Sequence, residues 1–208
     1  VSTRNTRGGN FGLLRAADHL GATVGVLICM ALLHFAVGYR TIFTIAAIPT
    51  AIGVVAILVM IREHRAEEQE TFKGLRLSGL SRDLKILIVL SAIFALGAFT
   101  YSFLIVHAKR LGVIDTYVPA LYLLFTVAAS ALSVPFGKLA DRWGRKGVLA
   151  VGYALWGLVC VSAIVLHGIW STVLIFLLFG AHKAALEPSQ KAIVAEFRRV
   201  LRRELDFR

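Results

Sequence analysis

Six stretches of about twenty predominantly apolar residues, joined by short polar connections, dominate this chain. A helix rises about 1.5 Å per residue, so roughly 20 residues cross a hydrocarbon core of about 30 Å. Inside lipid every backbone N–H and C=O needs a partner within the protein, and a helix supplies all of them from its own segment. The stretches run near Leu13 to Val37, Thr41 to Ile61, Leu84 to Val106, Val118 to Phe136, Val148 to Leu166 and Trp170 to Ile193. They predict an all-α membrane protein with six transmembrane helices. Composition agrees, since 58% hydrophobic residues, 17% charged and a mean hydropathy of +0.76 are too apolar for a soluble domain of 208 residues.

A net charge of +11 and a pI near 10.3 would suit a nucleic-acid binder if the basic groups lay on a water-facing surface. They lie between apolar runs instead, so the expected partner is the lipid bilayer and not nucleic acid. Cys29 and Cys160 both sit inside apolar runs, where a thiol packs as a small hydrophobe and implies no disulfide framework. The sequence has no Walker loop, no Cys/His metal spacing and no nucleophile with a base nearby. No metal, no cofactor and no enzymatic activity are expected, and any active transport would draw on an ion gradient.

Lys and Arg near span ends resist translocation, so their distribution orients the helices. The connections around Gly38 to Arg40, His107 to Tyr117 and His167 to Ile169 together carry three. The N-terminal segment, the polar stretch Arg62 to Asp83 with adjacent Lys85, the connection around residues 137–149 and the C-terminal segment carry nineteen. The second set is therefore expected on the cytoplasmic side, with both termini. Polar residues 1–10, followed by Arg15 and Asp18, argue against a secretory signal. The segment Glu63 to Glu70 spaces acids and bases for a short surface helix within an otherwise solvated connector.

Residues 137 to 149 read GKLADRWGRKGVL. The segment resembles the signature loop of the major facilitator superfamily, with matches at Gly137, Leu139, Asp141, Arg142, Gly144, Arg145, Lys146 and Leu149. The resemblance implies twelve helices in two six-helix halves, with this loop between helices two and three and again between eight and nine. If Arg62 to Asp83 is the connector between the halves, the six spans match helices five to ten. Residues 1–61 are then the last two helices of the first half, 62–83 the central loop, 84–193 the first four helices of the second half, and 194–208 an atypical basic tail. That register leaves four helices before Val1 and two after the last span unaccounted for, so the chain is expected to be a fragment of a partial fold spanning both halves.

Gly21 and Gly25 match part of the family's glycine-rich antiporter signature on helix five, with Val26 where that signature has proline. Glycines four apart also suit close helix packing in lipid. The expected function is transport of a small solute by alternating access as proton-coupled efflux; the alternatives are uniport or solute uptake, and a truncated membrane protein that transports nothing.

Asp141 is the first functional candidate. A carboxylate there can meet the positive end of a helix or a guanidinium such as Arg145. The resemblance implies that it latches the two halves on the cytoplasmic side, with a partner near Asn10 to Leu13. Ionisable groups within spans are costly in lipid and default to functional candidates. Arg15 with Asp18 and Lys183 with Glu187 are spaced to share helix faces. His182, Gln190, Tyr101 and His107 complete the expected cavity, where Glu187 is the expected proton-coupling carboxylate and a small molecule the expected substrate. A packing salt bridge is the competing account of both pairs. Pro49, Pro135 and Pro188 mark expected bends, of which Pro188 could reorient Glu187.

Overall fold

The computed structural model describes the backbone of residues 7–60 and 82–206 and the side chains of residues 8–60, 82 and 84–194. The expected connector helix at Glu63 to Glu70 lies outside these residues. Among those described, helices α1 (Arg7–His34), α2 (Tyr39–Met60), α3 (Arg82–Gly97), α4 (Tyr101–Arg110), α5 (Val118–Trp143), α6 (Arg145–Val165) and α7 (Ile169–Asp206) account for the regular structure, with one 3-10 turn at Asp115–Tyr117. Six segments are long and apolar enough to cross a membrane: Gly8–His34, Tyr39–Met60, Leu84–Arg110, Asp115–Trp143, Arg145–Val165 and Ile169–Val194. The six expected spans are therefore present, and the fold is all-α.

Two boundaries differ from expectation for local reasons. The third span is not continuous, because residues 98–100 leave the helix between α3 and α4. Gly97 is a poor helix former, and its carbonyl accepts a hydrogen bond from the Trp156 Nε1–H at 3.1 Å, so the freed acceptor is satisfied from α6. The signature segment is also far less of a loop than its sequence suggests. Residues up to Trp143 complete the last turns of α5, Arg145 opens α6, and the whole reversal falls on Gly144 at φ 94°. A side chain there would be strained, which is why a glycine stands between the two helices.

The helices divide between two compact units. One runs from Ile28 to Leu90 and holds the end of α1, all of α2 and the start of α3. In α2 no described residue is buried, and Pro49 lies within the helix. The other unit contains α1 as far as Leu27 and the described residues from Ser91 onward.

In this larger unit α7 packs against both α5 and α6. Its core gathers Leu104 from α4, Leu121 and Phe125 from α5, Trp156 and Val159 from α6, and Phe176 and Phe179 from α7. Small residues set the helix separations. A Cβ added at Gly180 would come within 2.8 Å of the Phe125 carbonyl oxygen, and one at Gly152 within 3.3 Å of the Leu186 nitrogen. Apolar side chains gain little by leaving lipid for another helix, so close backbone approach and hydrogen bonding supply the attraction. The backbone of α7 runs unbroken past Ile193 to Asp206, so the basic segment at 194–206 continues this helix.

Candidate functional site

The N-terminus of α1 and the C-terminal turns of α5 meet through Asp141. A helix leaves its first N–H groups without intrahelical acceptors, and these carry the positive end of the helix dipole. The Gly8 N–H donates to Asp141 Oδ1 at 2.8 Å and the Gly9 N–H to Oδ2 at 2.7 Å, so both carboxylate oxygens are engaged. The partners are the backbone amides of Gly8 and Gly9, ahead of the expected Asn10 to Leu13. Glycine is required at the crossing itself. A Cβ on Gly8 would stand 2.5 Å from the Gly137 carbonyl oxygen, and one on Gly12 the same distance from that of Ser133.

From this clasp a seam of small and hydroxyl side chains runs along α1 and α5. The Ser130 hydroxyl donates to the Ala16 carbonyl at 2.9 Å, and Thr23 Oγ1 lies 3.0 Å from Thr126 Oγ1. Gly8, Gly12 and Ala16 recur every four residues and therefore share one face of α1. Gly21 and Gly25, the expected packing pair, have no atom within 4 Å of the position a Cβ would take. Close approach thus occurs at Gly8 and Gly12, about two to four turns earlier on the helix than Gly21.

Arg15 and Glu187 connect the two ionisable pairs that the sequence presents separately. The Arg15 Nη1–H donates to Asp18 Oδ2 at 2.7 Å along α1, while Arg15 Nε lies 3.1 Å from Glu187 Oε2 on α7. Lys183 Nζ stands 4.0 Å from the other oxygen, Oε1, and 5.6 Å from the centroid of the Phe179 ring. His19 joins them, with Nε2 at 4.0 Å from Glu187 Oε2 and its ring edge-on to Phe125. Arg15 Nε, His19 Nε2 and Glu187 Oε2 are buried atoms without a hydrogen-bond partner among the described residues, although they face one another. The arrangement is an ion cluster with incomplete hydrogen bonding.

The other candidates distribute around this cluster. His182 is 2% exposed; its Nδ1 lies 2.8 Å from the Gly152 carbonyl oxygen, and its ring packs among Phe94, Trp156 and Phe179. It therefore bridges α7 to α6 inside the aromatic core. Tyr101 is 40% exposed and contacts the rings of Tyr122 and Phe125. Gln190 is half-buried, and His107 Nε2 is buried without a hydrogen-bond partner. Arg145 reaches the Ala192 carbonyl at 3.4 Å, while Arg142 and Lys146 are exposed. No group of three potential metal ligands occurs among the described residues.

Sequence reasoning passed over His19, although it lies four residues after Arg15 and so shares its helix face. It also passed over Gly8, Gly9 and Gly12, whose small-residue spacing was legible as a packing face. Ser130 and Ser133 repeat the same signal on α5.

The Major Facilitator Superfamily pattern matches residues 86–204 of this chain. An uncharacterized MFS-type transporter of Methanocaldococcus jannaschii is 32% identical over 202 residues, covering 94% of this chain and 51% of that protein. The chain thus spans about half the length of the curated relative it matches. No solved structure matches it.

Proposed function

The chain belongs to the major facilitator superfamily, and on that footing we propose that it takes part in moving a small solute across the cytoplasmic membrane by alternating access. In this reading its spans are helices five to ten. The connector at 62–83 separates the halves, and the motif end of the helices faces the cytoplasm. α1 then belongs to one half and α5 to the other, so each bond between them is a bond between halves.

The observation that carries the proposal is the double capture of the α1 N-terminus by Asp141. It joins the ends of two elements through charge-assisted bonds at a crossing with glycine on both sides, and only the Ser130 and Thr23 hydroxyl contacts are described further along the seam. Such a contact is worth about 1–2 kcal/mol, of the order of the few kcal/mol that separate interconverting states. Asp141 is therefore the cytoplasmic latch, strong enough to bias the equilibrium and weak enough to open.

Glu187 is the coupling carboxylate, supported by its position among Arg15, His19 and Lys183. Charge within a span is costly unless compensated, so taking up or losing a proton there changes which helices attract one another. Proton-driven efflux is the direction adopted. Val26, in place of the antiporter proline, favours uniport or uptake as the second reading.

A solute screen in proteoliposomes tests the proposal. A substrate should accumulate against its gradient when a proton gradient is imposed, and an uncoupler should abolish that accumulation. Glu187→Gln should retain exchange without accumulation. Accumulation by the Gln variant at the parental rate would remove Glu187 from coupling, and gradient-independent equilibration by the parent would support uniport.

A further inference from the structure

Glu187 Oε2 is approached by two nitrogens from α1, yet neither makes a hydrogen bond to it. Arg15 Nε is 3.1 Å away but misaligned, and His19 Nε2 is 4.0 Å away, beyond hydrogen-bonding distance. All three atoms are buried. A guanidinium such as that of Arg15 can attract the carboxylate but is no proton donor in a relay. His19 is the neighbour able to do both. Its ring is held edge-on to Phe125, and the Thr23 hydroxyl donates to its backbone carbonyl at 2.8 Å, so both the ring and its turn of α1 are fixed.

We propose that His19 carries the proton to Glu187, making it the proton-relay residue of the site; this rests on the reading of Glu187 as the coupling carboxylate. Hydronium gives up its proton to His19 Nε2, leaving water and forming the imidazolium. A rotation of the Glu187 carboxyl toward the fixed ring shortens the 4.0 Å gap and lets the Nε2–H bond break as an O–H bond forms on Glu187 Oε2. The products are a neutral imidazole and a neutral carboxylic acid, so no net charge is created by the transfer.

The surrounding charges determine the outcome. His19 faces Arg15 and Asp18 on its own helix, Lys183 and Glu187 on α7, and the uncharged Phe125 ring on α5. With His19 neutral and Glu187 ionised, two cations balance two anions across the α1–α7 contact. With Glu187 protonated, Arg15 and Lys183 oppose Asp18 alone, and the contact between the helices loses its attraction. Proton delivery by His19 thus loosens α1 from α7.

The experiment uses the full chain in lipid nanodiscs with Cys29 and Cys160 replaced by serine and spin labels at the exposed positions Leu14 and Val194. Distances are measured by double electron–electron resonance across pH. The parent should pass from a short to a longer α1–α7 distance as pH falls. His19→Gln, whose amide nitrogen can occupy the Nε2 position without accepting a proton, should move the midpoint by about one pH unit or more, a tenfold change in proton affinity. In the unsubstituted protein, hydrogen–deuterium exchange at the His19 C2 position, read by mass spectrometry, should titrate with the same midpoint as the distance change. An unchanged midpoint in His19→Gln, or a His19 titration displaced from the distance change, overturns the relay while leaving Glu187 in place. A Glu187→Gln variant that still separates with the parental midpoint overturns the underlying coupling reading instead.

Discussion

Helices α2 and α7 are both apolar enough to span a membrane, yet they are used in opposite ways. The most apolar stretch of α2 has a mean hydropathy of 2.5, and no described residue of that helix is buried; that of α7 has 1.6, with 56% of its residues buried. The more apolar helix is the less buried one. In water the reverse ordering would be expected, because burial there is driven by apolar area. In lipid that drive is absent between helices, and association follows small residues and hydrogen bonds. α7 presents Gly180, Ala184, Ala185, Ser189 and Ala192 to its neighbours, whereas α2 offers an envelope of Ile, Val and Leu. Burial in this molecule therefore marks where helices recognise each other, and the ionisable residues of the site lie along that marked surface.

The largest test of this contrast is steric. Gly180→Leu should destabilise the chain by about 3 kcal/mol, because its Cβ alone would meet the Phe125 carbonyl and the Ala128 side chain. Gly53→Leu on α2, where nothing lies within 4 Å, should stay within about 0.5 kcal/mol of the parent. Equilibrium unfolding in mixed detergent micelles measures both, and equal losses would break the contrast.

Electrostatic substitutions should come next. Arg15→Leu leaves Glu187 with Lys183 and His19 alone, and partial exposure of the pair limits the loss to about 2 kcal/mol. The same assay reads it, and adding Glu187→Gln should restore part of the loss, since the stranded charge is then removed. A double variant as unstable as the sum of the two single ones would mean that the residues do not interact.

Asp141→Asn keeps one acceptor but loses the charge and the second acceptor, at a cost of about 1 kcal/mol. Asp18→Asn, on an exposed side chain, should cost clearly less. The smallest expected effect is Thr23→Val, which removes the hydroxyl contact to Thr126 and should cost about 0.6 kcal/mol, a typical value for an interhelical bond in a membrane protein.

Much of this architecture was legible in the sequence because lipid imposes a length and a composition on every span. Six apolar stretches predict six helices with little ambiguity, and basic residues beside them add an orientation. Asp141 stood out because its segment resembles the family's signature loop; the chemistry of a carboxylate allows a helix start or a guanidinium such as Arg145 as its partner, and the resemblance implied the former. What escaped was the pairing across helices. Arg15 with Asp18 and Lys183 with Glu187 satisfy the helical spacing rule so well that the Arg15–Glu187 contact is hidden, since no period in the sequence relates residues 172 positions apart. His182 misled for a related reason. A histidine beside a lysine within a span suggests a cavity, yet one rotation step along the helix turns it into the aromatic core, against the Gly152 carbonyl. The break after Gly97 depends on a tryptophan from another helix, and the seam depends on glycines placed ahead of the apolar run in which packing is normally sought.

The central claim is that the contact between the start of α1 and the end of α5 is a latch with two populated states, governed by Asp141. The most direct measurement places spin labels at Leu13 and Trp143, both exposed, in the full chain in nanodiscs and records the distance distribution with and without Asp141→Asn. The account predicts a short and a long population in the parent, with the Asn variant shifted toward the long one by about fivefold, the equivalent of the charge-assisted bonds it loses. A single short distance, unchanged by the substitution, would contradict it and reduce Asp141 to a fixed helix cap.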